Sequence, residues 1–444
     1  DGLTVRLPRG ADRPHALSDV SLSVASNEIL CVVGESGSGK SMMANAIMRL
    51  LPNEVTIERG RMMFEGRDLC AADGAAMREV RGAGIAMIFQ EPMTALNPLR
   101  TIGDQIGEMF AIHTGLSKAE INARVLALLE DVRISDPKAA AKAYPHELSG
   151  GQRQRAMIAM ALALDPKLLI ADEPTTALDV TTQAQILKLI RDLQQRKKTA
   201  VLFITHDFGV VAEIADRVVV MQHGAIVEQG AADTVLNDPQ HPYTRQLIAA
   251  VPPLTTPPPR ILSGKTILTI DGVSKTYRTG GFLGRGARIT EAVKNVSLRL
   301  PRGATLGIVG ESGSGKSTLA RCIVRLIDPD AGSIVLAGKD WAKLGRDEIR
   351  RETRHIQMVF QDPFASLNPR RKATELVAQG PIVHGTGRAT AIAEARKLFE
   401  LVGLDPSAGD RFPHEFSGGQ RQRIGLARAL ALRPDVLVAD EPVS

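Results

Sequence analysis

The chain repeats itself, and the repeat fixes more of its architecture than any other feature. Residues 34–41 read GESGSGKS, and residues 310–317 read the same eight letters, 276 positions on. MIFQEPMTALNP (87–98) returns as MVFQDPFASLNP (358–369) at an offset of 271. PHELSGGQRQR (145–155) returns as PHEFSGGQRQR (413–423), and LLIADEP (168–174) as VLVADEP (436–442), both at 268. Order is kept and the spacing drifts by only eight positions. Solenoid repeats run to about 20–45 residues, so a period this long means that one whole domain occurs twice. A chain of 444 residues has room for two.

The boundary is legible in proline. VPPLTTPPPR (251–260) holds five prolines in the eight residues 252–259. Proline continues neither a helix nor a central strand, and runs of it stay extended. The first domain is read as 1–255, a proline-rich linker as 252–265, and the second domain as 266–444.

Composition narrows the classes. Only 15 of the residues are aromatic (Phe 11, Tyr 3, Trp 1), which argues against binding single-stranded nucleic acid by stacking bases on aromatic platforms. The longest uncharged apolar run is nine residues, Ala156–Leu164, against about 20 for a membrane-spanning helix. Cys31, Cys70 and Cys322 are scattered, making neither a disulfide framework nor a zinc pattern, as in a reducing cytoplasm. The net charge of +6 is mild and spread out, permitting a polyanion or membrane-surface partner without requiring one.

Within each copy the pattern is strand, loop, helix. EILCVVG (28–34) is a short apolar run ending in glycine, and a helix-forming stretch follows at 42–51. LLIADEP and AVLFITH (200–206) read as further buried parallel strands. Between them TTQAQILKLIRDLQQRKK (181–198) sets Ile186, Leu189, Ile190 and Leu193 on one helical face. Strands alternating with helices predict an α/β fold with a parallel sheet in each copy. Residues 97–165 show helical periodicity and no convincing strand, and read as an inserted helical subdomain.

GESGSGKS matches the phosphate-loop pattern twice, each time after an apolar run and before a helix. A glycine-rich turn that binds nothing accounts for one such match, but not for two in register with other shared blocks. Gly34, Glu35, Ser36, Gly37, Ser38 and Gly39 are candidates to cradle phosphates with backbone N–H groups, as are Gly310, Glu311, Ser312, Gly313, Ser314 and Gly315. Lys40 and Lys316 supply a point charge; Ser41 and Ser317, with Thr318 following, supply hydroxyls, Ser41 and Ser317 toward Mg2+. An acidic pair ends a buried strand in each copy. Asp172 and Asp440 are candidate Mg2+ holders, and Glu173 and Glu441 candidate general bases for an attacking water.

The next block carries a family resemblance. Leu148, Ser149, Gly150, Gly151 and Gln152, and in the second copy Phe416, Ser417, Gly418, Gly419 and Gln420, resemble the signature motif of ABC-transporter ATPase domains. The serine precedes the acidic aspartate by 23 residues in both copies. The resemblance covers nearly the whole chain and implies two tandem P-loop NTPase domains, each a RecA-like core with a parallel sheet and a helical subdomain. It implies that Gln90 and Gln361 touch Mg2+ and the attacking water, that Ala177-Leu178-Asp179 forms the D-loop, and that His206 senses the γ-phosphate. It implies head-to-tail pairing of the two domains, with Lys40 and Glu173 facing Ser417 and Gly419, and Lys316 and Glu441 facing Ser149 and Gly151. It implies an adenine-stacking aromatic on the first strand, which Tyr277 matches; the first copy has Leu7 there.

FQEPMTALNP, FQDPFASLNP and HPYTRQLIAAVP (241–252) look like the dipeptide, oligopeptide and nickel importer branch, glutathione importers included. GKSMMANAIMRLLP resembles the first ATPase subunit of that branch, and GFLGRGARI (281–289) the second. The expectation is therefore an ATP- and Mg2+-using ATPase, peripheral on the cytoplasmic face of a bacterial membrane. Its expected partners are two permease subunits and an extracytoplasmic solute-binding protein, with no nucleic acid. Two other readings share the chemistry: a soluble twin ATPase acting on ribosomes or DNA, and an exporter ATPase. A short proline-rich linker, with neither a charged helical linker nor a zinc or coiled-coil insert, weighs against the first. The oligopeptide-type blocks weigh against the second.

By the 268 offset, the counterpart of His206 is expected near 474 and the end of a full second copy near 523–530, against the 444 residues present. The second domain is thus expected to be C-terminally incomplete, to lack its D-loop and switch histidine, and to fold poorly and couple weakly.

Overall fold

In a computed structural model, the described residues are all but 12, 91–94, 176–179, 252–263, 280–287, 312, 363–365 and 443–444. The linker prolines and most of GFLGRGARI, like the D-loop Ala177-Leu178-Asp179, lie outside them. Contacts divide the chain into Asp1–Thr255 and Thr256–Ser444.

The first unit opens with β1 (Leu3–Arg6) and β2 (His15–Val20), continues through β3 (Ile29–Val33) into α1 (Lys40–Ile47), and then adds β4 (Thr56–Arg59). A short hairpin of β5 (Met63–Phe64) and β6 (Arg67–Asp68) precedes α2 (Gly74–Val80) and β7 (Ile85–Ile88). Helices α3 (Ile102–His113), α4 (Lys118–Asp131), α5 (Pro137–Lys142) and α6 (Gly150–Leu162) follow. The unit then runs β8 (Leu168–Asp172), α7 (Val180–Lys197), β9 (Ala200–Ile204), α8 (Phe208–Ile214), β10 (Arg217–Gln222), β11 (Ala225–Ala231), α9 (Ala232–Asn237) and α10 (Pro242–Ala249).

Its main sheet has the order β11-β10-β3-β9-β8-β7. Five strands are parallel and β11 closes one edge antiparallel to β10. Alternation along each strand splits the core between the two faces. Ile29, Cys31, Val33, Leu169, Ala171, Val201 and Phe203 pack on one side with α6 and α7. Leu30, Val32, Ile170, Leu202 and Ile204 pack on the other with α1 and the small β2-β1-β4 sheet. Ile186, Leu189, Ile190 and Leu193 of α7 are all buried, as one apolar stripe requires.

Residues 97–165 hold four α-helices and, among the described residues, no strand. Each helix start is written in the sequence. Thr101 accepts from the Asp104 N–H, Ser117 forms a reciprocal capping box with Glu120, and Asp136 caps α5 with Pro137 at its first position.

The second unit begins with a long antiparallel ribbon, β12 (Thr266–Thr279) and β13 (Arg288–Pro301), followed by α11 (Lys316–Ile323). It adds β14 (Ala331–Leu336), β15 (Lys339–Asp340), α12 (Arg346–Glu352) and β16 (Ile356–Val359). Helices α13 (Ala373–Val383), α14 (Arg388–Leu401) and α15 (Gly418–Leu430) lead to β17 (Val436–Ala439). β16 and β17 pair in parallel, as β7 and β8 do.

One element departs from the sequence pattern. The apolar run before the second GESGSGKS, residues 305–309, forms no strand, and Leu306, Ile308 and Val309 are 48%, 46% and 93% exposed. The matching β3 of the first unit is central, hydrogen-bonded to β9 on one side and β10 on the other.

Candidate functional site

Four parallel strands of the first unit deliver the candidate residues to one edge. Gly34 follows β3, Gln90 lies two residues past β7, Glu173 follows β8, and His206 lies two residues past β9. In the order β3-β9-β8-β7 these strand ends are neighbours, and the carboxyl edge of a parallel sheet is where open α/β folds bind ligands.

The loop GESGSGKS turns from β3 into α1 on glycines that no other residue replaces. Gly34 has φ +151°, and a Cβ there would lie 2.2 Å from the Met221 carbonyl oxygen. Gly39 caps α1 at φ +107°, with the Ala16 carbonyl oxygen 2.8 Å from any added Cβ. Lys40 folds back through the loop. Its Nζ donates to the carbonyls of Gly34 (2.7 Å) and Glu35 (2.9 Å) and lies 3.4 Å from Ser38 Oγ. Burial lowers its pKa, while the nearby Glu173, Asp172 and Glu35 charges pull it back up. The Arg13 guanidinium also donates to the loop, to the Gly37 carbonyl at 2.6 Å.

Ser41 Oγ donates to Asp172 Oδ1 at 3.1 Å. Asp172 is buried, and burial drives its pKa from the ordinary 3.8 up to about 6; the adjacent Glu173 charge adds to this, while the Ser41 hydrogen bond and Lys40 oppose it. Glu173 leaves the strand in the left-handed region at φ 47°, as Glu441 does at φ 45° in the second unit. A non-glycine residue held there stores local strain, of a kind that clusters at functional sites. The turn aims the Glu173 carboxylate at two partners: Gln90 Nε2 donates to Oε2 at 2.9 Å, and His206 Nδ1 lies 3.4 Å from the same oxygen. The Glu173 contact raises the His206 pKa, chiefly through the hydrogen bond, against the effect of burial.

The second unit repeats this core. Lys316 Nζ donates to the Gly310 carbonyl (2.7 Å) and the Glu311 carbonyl (2.9 Å), Ser317 Oγ to Asp440 Oδ1 (2.9 Å), and Gln361 Nε2 to Glu441 Oε2 (2.5 Å). Lys316 is half-buried where Lys40 is buried. Ser312 lies outside the described residues; Gly313, Ser314, Gly315 and Thr318 sit in the loop and first turn of α11.

The signature residues stand apart from these clusters. Ser149 caps α6, accepting from the Gln152 N–H at 3.3 Å and donating its own N–H to Gln152 Oε1 at 3.0 Å. Ser417 and Gln420 repeat both bonds on α15 at the same distances. Ser149, Gly150, Ser417, Gly418 and Gly419 are exposed, so each signature is a capped helix start facing outward. Tyr277 is half-buried on β12, paired with Thr290, and Leu7 packs with the core beneath the β2-β1-β4 sheet.

One contact had no sequence signal. The buried Tyr243 of α10 accepts a hydrogen bond on its hydroxyl from the Glu35 N–H at 3.0 Å, 208 positions away in the chain. No spacing rule links residues so far apart.

The strand-edge arrangement offers a buried lysine, loop amides and paired oxygen donors, the chemistry that phosphate groups require. Comparison with known proteins agrees. Residues 17–176 and 293–444 match the ABC transporter family, and residues 227–270 match the oligopeptide/dipeptide transporter C-terminal region. The chain is 46% identical over 476 residues to the glutathione import ATP-binding protein GsiA of Salmonella paratyphi A, covering all of this chain and 76% of that protein. It is 47% identical over 449 residues to the peptidoglycan transport ATP-binding protein YejF of Agrobacterium fabrum, covering all of this chain and 81% of that one. Against GsiA of Escherichia coli K12 the identity is 45% over 478 residues, with 77% of that protein covered.

Because Asp172 is stabilised in its neutral form, its contribution to stability is full below pH 3.8 and is lost as pH rises through about 6, a loss of about 3 kcal/mol. In nucleotide- and metal-free buffer, Asp172→Asn is therefore expected to gain thermal stability relative to the parent between pH 4 and pH 7. A difference in melting temperature that stays constant over that range would count against this electrostatic picture.

Proposed function

The chain belongs to the ABC transporter ATPase family, and on that premise we propose that it energises a bacterial importer of peptides or peptide-like solutes, glutathione among them. It is an ATPase of the importing type, with both P-loops, both acidic strand ends and both signatures in family order. The observation that carries the solute class is the match to the oligopeptide/dipeptide C-terminal region at 227–270, whose residues up to 249 form most of β11, α9 and α10 in the first unit. The named relatives, which import glutathione or transport peptidoglycan, support the same class.

The geometry supports a role for each residue. In this reading Lys40 and the amides of residues 34–41 hold the β- and γ-phosphates. Ser41 with Asp172, and Ser317 with Asp440, are close pairs of hard oxygen donors. Mg2+ is commonly held by one or two such protein groups, with substrate phosphates and waters completing its shell, so the residues present fit that ion. When bound, it would supply charge neutralisation across the β- and γ-phosphates. Glu173 takes the proton of the attacking water, with Gln90 and His206 fixing the orientation of its carboxylate. Pairing of the two domains brings Ser417 and Gly419 to the first site, and Ser149 and Gly151 to the second. With no helix among the described residues long and apolar enough to span a membrane, solute passage falls to separate permease subunits. A solute-binding protein outside the membrane delivers the cargo, and this chain works from the cytoplasmic face.

Glu173→Gln with Glu441→Gln removes the base and keeps the side-chain shape. Steady-state ATPase is expected to fall by about 10²–10⁴-fold, with nucleotide affinity retained in equilibrium binding. The double variant Lys40→Ala, Lys316→Ala is expected to abolish both ATP turnover and uptake of labelled glutathione or short peptides in cells lacking the native gene. Undiminished uptake by that double variant would sink the proposal.

A further inference from the structure

HPYTRQLIAAVP marks a family branch in the sequence, but in the structure it reaches the phosphate loop. Tyr243 is 6% exposed, so its ring is core. Its hydroxyl accepts from the N–H of Glu35, the first residue after Gly34. The carbonyl of the same Glu35 accepts from Lys40 Nζ at 2.9 Å. One residue of the loop is therefore gripped on both sides, by the phosphate-binding lysine and by the C-terminal region.

The tyrosine is itself placed by polar contacts. Glu228 on β11 accepts from the backbone N–H of Gln240 at 2.7 Å and of His241 at 3.0 Å. Pro242 occupies the first turn of α10, and His241 Nδ1 accepts the Tyr243 N–H at 3.2 Å. Strand β11, pinned along β10 beside β3, thus fixes the start of α10, and α10 fixes the loop.

We propose that Tyr243 is a positioning residue for nucleotide at the first phosphate loop, through which nucleotide and the C-terminal region 227–250 stabilise one another. The proposal rests on the ATPase reading above. A loop amide held at Glu35 keeps the following turn in its phosphate-accepting form, and free loss of that hold shows as weaker binding. Linkage makes the coupling reciprocal: whatever Tyr243 adds to nucleotide affinity, nucleotide adds to the docking of α10.

The test uses the full chain carrying Lys316→Ala, which leaves the first loop as the nucleotide site, and magnesium with a non-hydrolysable ATP analogue as probe. Adding Tyr243→Phe keeps the ring and removes only the hydroxyl. Affinity is expected to fall about five- to tenfold, the KM for ATP to rise by the same factor, and the melting temperature to stay within about 2 °C. In the unmodified chain, amides of 242–249 are expected to exchange several-fold more slowly once the analogue is bound, and this measurement holds even where the variant folds badly. Affinity within twofold of the parent, or exchange at 242–249 indifferent to the analogue, overturns the inference and leaves the ATPase reading standing. Failure of the Lys316→Ala parent to bind nucleotide at all overturns both.

Discussion

A central parallel strand is stable only between two others, and the first unit is organised around that requirement. β3 lies between β9 and β10, all five of its residues are buried, and the phosphate loop hangs from its carboxyl end. The strands beside it bring the acidic pair, the histidine and the glutamine to the same edge. The candidate site is therefore a property of strand order, its side chains gathered by the ends of four neighbouring strands and the helix that follows β3.

The second unit repeats the local contacts of the first. Its lysine still closes on its own loop carbonyls, its serine still meets the aspartate, and its glutamine still meets the glutamate. These bonds link the loop and first turn of α11 to the residues that follow β16 and β17. What differs is burial: Lys316 is half-buried and the run 305–309 is exposed. Local loop geometry is thus written into GESGSGKS itself. The low-dielectric setting that shifts Lys40 and Asp172 comes from the surrounding sheet.

The two signatures illustrate a division of labour within a motif. Ser149 and Ser417 satisfy the first N–H groups of their helices through a reciprocal box with Gln152 and Gln420. That local role accounts for the serine and glutamine without reference to any ligand. The same caps leave Gly150, Gly418 and Gly419 exposed at the positive end of a helix.

The sequence by itself determined the duplication, the family, the α/β class, the helical insertion at 97–165 and the identity of the loop lysines, acidic pairs and capped signatures. All of these depend on local rules, whether a glycine turn, an alternating strand or a capping box, and such rules act between residues close in the chain. The apolar stripe of α7 was legible for the same reason. Only the tertiary structure decided that Gln90 and His206 share one oxygen of Glu173, that burial lifts Asp172 toward neutrality, and that Tyr243 holds the Glu35 amide from 208 positions away. Each of those outcomes depends on which strands become neighbours, and pairing across a sheet carries no mark in the letters of either strand alone.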